Sequence, residues 1–250
     1  MFSSWDPRSE TAETLGARML QHIDALSALA PSWRDWWFLD FDRPASEMNE
    51  ENAHEFLFPL DEARPRMAKM VELGVRRGDD RRPEPTGGYA ICAVNGEREH
   101  KASIHAHGGG GPSPRAGLRF VEFQTRPESA PIAAATFKSA LLALVAAWDV
   151  GYAQAWSDAL CSLWPSPPPF YSLAWMTYLS SDRAAKIAPP DHAIVERTDD
   201  DGMLLLATGE LFDAGNPQHL AAARAILAAL APLNAEEERI AERRFGPRGR

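Results

Sequence analysis

Residues 89–107, YAICAVNGEREHKASIHAH, decide the fold class. The run from Tyr89 alternates side chains toward opposite faces and ends at Asn95-Gly96, a pair suited to a tight turn because both residues tolerate positive φ. KASIHAH then returns with the same period of two, which predicts an antiparallel pair. LRFVEFQT (118–125) is a third alternating segment. Farther along, HAIVERT and MLLLAT flank the acidic turn DDDG (199–202) and read as a second hairpin.

Helical spacing brackets these strands. In residues 9–30, Leu15, Met19, Ile23, Leu26 and Leu29 recur at intervals that make one apolar face. Glu10 and Glu13 would sit in its first turn and Pro31 would end it. A second helix is expected from Asp61, as N-cap, to Val75, with Met67, Met70 and Val71 inward. Ile132 to Trp148 reads as a buried, alanine-rich helix, and Asn216-Pro217 opens another through Leu233. Residues 32–60 mix aromatics and acids without a period, as either irregular packing or a binding surface. The expectation is α+β: an antiparallel or mixed β-sheet flanked by helices, a single domain over 1–235, with 236–250 a charged, disordered tail. Trp148, Trp175 and Tyr178 are core candidates.

The net charge of −9 is unevenly placed. Residues 1–62 hold 13 acids against 4 Lys/Arg, while the other 188 residues carry 22 of each sign. Within 35–62 there are nine acids and one arginine. Direct nucleic-acid binding is disfavoured, because phosphate contacts need Lys and Arg. The acids suit either a solvated face or a basic partner, whose approach their field would accelerate. The longest apolar run, 139–148, is half the ~20 residues of a membrane span, and the N-terminus has no secretory pattern. Two cysteines, Cys92 and Cys161, make no disulfide framework, so a reduced, cytoplasmic protein is expected.

SIHAHGGGGPSP (103–114) is the stretch most suggestive of chemistry. On a strand His105 and His107 share a face, as two metal ligands would, but a zinc site needs a third ligand at an identifiable spacing. Gly108–Gly111 runs into Pro112 instead of Lys-Ser/Thr, so it reads as a flexible connection and not a phosphate loop. A metal-dependent hydrolase using the two histidines is the enzymatic alternative. No nucleophile or cofactor motif accompanies it, and the expectation is a non-enzyme without a cofactor.

Several phrases occur together in a familiar order. They are SETAETLGARMLQHIDALSAL and APSWRDWW, PEPTGGYAICAVNGE, LVAAWDVGYAQ, LAWMTYLS and GMLLLATGELFDAGNPQHLAAARAI. In these the chain resembles the immunity protein 52 family of bacterial polymorphic toxin systems. The resemblance implies a cytoplasmic protein that binds and neutralises the toxic domain encoded beside it, typically a restriction-endonuclease-type nuclease, in some systems a type VI secretion effector. HAHGGGG and residues 38–62 depart from the family pattern. If the acids cover a basic nuclease cleft, the interface candidates are Asp35, Asp40, Asp42, Glu47, Glu50, Glu51 and Glu55. Trp36 and Trp37 are either core anchors or contact residues beside them. An adaptor that loads the effector without inhibiting it is the alternative within the same system.

Overall fold

Phe2–Trp5 form a strand, β1, although four residues carry too short a pattern to read from sequence. The structure, a computed structural model, describes residues 1–5, 8–39, 52–74, 88–96, 102–109, 119–125, 132–166 and 168–245. They cluster into two units, one of residues 2–132 with 139–150, the other of residue 1 with 133–138 and 151–250.

In the first unit helix α1 spans Ala12–Leu29, shorter at its start than expected. Thr11 is its N-cap, with the hydroxyl accepting from Thr14 N–H at 3.3 Å. Glu10 stays outside the helix, held by Arg8 and Arg18 at 3.0 and 3.2 Å. Leu15, Met19, Ile23 and Leu26 form the buried stripe that their spacing predicts. The unperiodic stretch contains two short strands, β2 (Trp36–Leu39) and β3 (Leu57–Pro59). The helix expected over 61–75 is broken into α2 (Leu60–Ala63), a 3-10 turn (Arg64–Arg66) and α3 (Met67–Leu73). Pro65 explains the break: it has no N–H to donate, and its ring crowds the carbonyl one turn back. Pro59, not Asp61, stands at the N-cap. Gly16 lets α1 and α3 approach, since a Cβ there would stand 3.0 Å from Met67 Cγ.

The three alternating segments are β4 (Tyr89–Asn95), β5 (Ala102–Gly108) and β6 (Arg119–Thr125). β4 and β5 pair from Tyr89↔Gly108 to Asn95↔Ala102, so Asn95-Gly96 sits at the strand end as the sequence predicts. The strand order in this unit is β3-β2-β4-β5-β6-β1, with antiparallel pairing. Ile91, Ala93, Ile104, Ala106, Val121 and Phe123 put one face of the sheet in the core. Helix α4 (Ala134–Trp148) gives its residues from Ser139 onward to this unit. Its C-terminal carbonyls would be orphaned, and two arginines satisfy them. Arg8 donates to Trp148 O and Asp149 O at 2.6 and 3.1 Å, and Arg18 to Ala147 O at 3.0 Å. Trp148 is fully buried, stacked on Trp5 at 5.5 Å, and its indole donates to His22 Nδ1 at 3.2 Å.

The second unit contains β7 (Tyr152–Ala155), α5 (Asp158–Cys161), β8 (Met176–Leu179) and α6 (Ser181–Ala184). It continues with β9 (Ile194–Arg197), β10 (Met203–Leu206), α7 (Pro217–Ala229) and α8 (Ala231–Phe245). Its strands run β7-β8-β10-β9, again antiparallel. Every residue of β7, β8 and β10 is buried, which is why these strands show no alternation. Gln154, buried in β7, is satisfied by Ser172 O, Thr177 Oγ1 and Ser172 N–H at 3.0–3.1 Å. Trp175 and Tyr178 are buried here. α7 starts as its sequence predicts, with the Asn216 side chain accepting from Gln218 N–H at 2.9 Å and Pro217 in the first turn.

The charged stretch expected to be a disordered tail is instead helical through Phe245, while residues 246–250 lie outside those described. Two of its four acids find partners: Glu236 pairs with Lys186 at 2.9 Å and Glu237 with Arg183 at 3.1 Å. Asn234 clamps the Tyr171 backbone through two bonds of 2.8 and 3.0 Å. The α+β class with antiparallel strands is the class the sequence predicts. Among the described residues no helix is long and apolar enough to cross a membrane.

Candidate functional site

Among the described residues the histidine pair does not form the site its spacing suggests. His105 and His107 share a face of β5, but His105 is exposed and His107 is buried. Register places Cys92, His105 and Glu122 in a row across β4, β5 and β6, with Cys92 Sγ 3.8 Å from His105 Nε2. Burial pushes the Cys92 thiol up to about 11, so at neutral pH it is protonated and a poor nucleophile. Among the described residues no group of three His, Cys, Asp or Glu is placed to hold a metal ion.

Of the acidic candidates, Asp40, Asp42, Glu47, Glu50 and Glu51 lie outside the described residues. Asp35 is exposed; its carboxylate accepts from the Trp37 indole at 2.9 Å, and its carbonyl accepts from Gly96 N–H and Asn95 Nδ2. Trp37 is half-buried beside it. Trp36 points the other way, 1% exposed, with its indole bonded to Trp33 O at 2.6 Å. Trp36 is therefore a core anchor and not a surface contact. Glu55 is exposed on the turn before β3.

A second acidic surface, which charge totals over long stretches conceal, lies on the β9–β10 hairpin and the loop after it. Residues 191–213 contain seven acids and one arginine. Asp191, Asp199, Asp200, Asp201, Glu210 and Asp213 are exposed, while half-buried Glu196 accepts from Lys138 of α4 at 2.5 Å. Apolar side chains stand open among them: Ile194 is 43% exposed, Val195 38% and Leu211 49%. β9 ends the strand order, paired with β10 alone among the described residues.

This surface is rigidly built. Asp200 bonds Thr198 Oγ1 and Tyr178 Oη, each at 2.5 Å, and Gly202 N–H at 3.1 Å. Burial alone would raise the Asp200 pKa, but the Thr198, Tyr178 and Gly202 bonds outweigh it and hold the carboxylate below its usual range. Gly202 is required sterically, because a Cβ would stand 2.6 Å from Thr198 Oγ1 and 2.8 Å from Tyr178 Cε2. The loop carrying Leu211 is tied to α7 by His219, whose Nδ1 accepts from Asp213 N–H at 3.1 Å and whose Nε2 meets Glu210 at 3.0 Å. Trp175 adds a bond to Thr208 O at 3.1 Å. The edge is thus acidic and partly apolar, and its turn and the following loop are held by side-chain hydrogen bonds.

A family model described as Immunity protein 52 matches residues 2–234. No curated protein matches the chain. Among solved structures the chain is similar to one described as Pseudomonas aeruginosa T6SS protein PA0821, with 14% identity and a TM-score of 0.53 over 93% of this chain and 71% of that one. At that identity the likeness is one of fold.

Proposed function

Because the chain belongs to the immunity protein 52 family, we propose that it binds a cognate bacterial toxin domain, encoded nearby, and neutralises it by direct contact. The observation that carries this reading is the span of the family match, which covers both structural units. The proposed target is a nuclease, and the proposed mode is coverage of its basic cleft by acidic surface, in the cytoplasm of the producing cell. The net charge of −9 supports that mode, since an acidic inhibitor is steered to a cleft that must itself attract phosphates. The similar fold of a T6SS protein supports delivery of the toxin by type VI secretion.

The test is cleavage of DNA and RNA by the toxic domain encoded in the adjacent gene, with and without an equimolar amount of this protein. Loss of cleavage together with a co-eluting complex is expected. A complex that cleaves at full rate would make the protein an adaptor, and absence of any complex would reject the pairing.

A further inference from the structure

The geometry points to the open edge of β9 as a docking strand for an extended, Lys/Arg-bearing segment of the toxin domain, an inference that rests on the immunity reading. Thr198 N–H donates to Gly202 O at 3.2 Å, which fixes the phase of the β9–β10 ladder. Antiparallel pairs alternate between bonded and unbonded, and the register runs unbroken from Arg197↔Met203 to Ile194↔Leu206. Glu196 and Ile194 therefore spend their backbone groups on β10, while Val195 and Arg197 turn theirs outward. These outward donors and acceptors are what an added strand needs.

Proteins usually blunt such edges, and this chain does so elsewhere. Edge strand β3 has three residues and ends in Pro59. β9 has no proline and exposes Ile194 and Val195. Nearby, the loop leaving β10 brings Gly209 against it, where a Cβ would stand 3.6 Å from Ile194 Cδ1. Backbone bonding and apolar contact alone would admit a second copy of this chain. Charge decides against that occupant, because β9 against β9 would bring together two copies of a surface that carries seven acids over residues 191–213. A basic strand reverses the sign of that interaction. The bonds of Asp200 hold the turn that follows the edge, and those of His219 hold the loop beside it, so little ordering of these segments is left to oppose binding.

The test uses the full chain and the toxic domain of the adjacent gene. Hydrogen exchange on the wild-type complex is expected to show new protection at the Val195 and Arg197 amides. Val195→Pro removes an outward N–H without touching the β10 ladder, and is expected to weaken binding at least about tenfold while leaving the melting temperature unchanged. Asp191→Lys with Asp199→Lys is expected to slow association about tenfold at low salt and flatten its salt dependence. Unchanged exchange at β9 in a complex that forms and inhibits would overturn the docking strand while leaving the immunity reading standing. Protection of the same amides by the protein's own concentration, without toxin, would overturn it in favour of a second copy. Failure of the wild-type protein to bind at all would strike the immunity reading itself.

Discussion

His22 is fully buried on α1, and one of its ring nitrogens is committed: Nδ1 accepts from the Trp148 indole. That bond requires Nε2 to carry the proton, and Nε2 has no partner among the described residues. Burial pushes the pKa down to about 3, against about 6.5 in an unfolded chain. The folded protein thus binds the proton more weakly than the unfolded one. His22 favours folding fully above about pH 6.5, and this contribution is lost at up to about 1.4 kcal/mol per pH unit as pH falls toward about 3. His22→Gln keeps an acceptor for Trp148 without the titration. Urea unfolding at several pH values should show the variant losing stability less steeply on acidification. Parallel pH profiles would mean that His22 titrates normally in the fold.

At the scale of elements, the β9–β10 hairpin depends on its turn more than on its strands, since β9 is exposed along most of its length. Gly202→Ala forces a methyl group against Thr198 and Tyr178, and overpacking of this kind costs about 1–3 kcal/mol. Thermal melts should record the loss, and exchange at β9 should rise before exchange at β7 or β8. An unchanged melt would mean that the turn relaxes freely. Elements were legible where one face alone is buried, as in α1, β4, β5 and β6, because burial then writes a period into the residues. β7 and β10 are covered on both faces and lose that signature. β1, β2 and β3 are too short to hold one. Pro65 breaks the helix, yet Met67, Met70 and Val71 keep a helical spacing after it, and that spacing alone predicts one continuous helix. The tail misled for another reason: its acids look solvated until Lys186 and Arg183, fifty residues earlier, are seen to meet them. The β9 edge was readable as a hairpin strand, but pairing on one side only is a property of sheet order and not of local sequence.

For the whole molecule, the proposed acidic mode of binding implies that the two acidic stretches, 35–62 and 191–213, attract the partner at long range. Stopped-flow association with the toxic domain should slow by about tenfold between about 50 mM and about 500 mM salt, with dissociation changing much less. A salt-independent association rate would mean that neither stretch faces the partner.

The open strand also governs how the free protein keeps in a tube. Copies of the protein meet more often than any partner does, and each presents the same unblunted edge. Only electrostatic repulsion separates them, over a range of about 10 Å in 0.1 M salt. Added salt shortens that range and leaves the exposed Ile194 and Val195 as they were, so turbidity should grow with ionic strength. A stock solution of this protein therefore belongs in dilute buffer, and a partner that occupied the strand would act as its preservative.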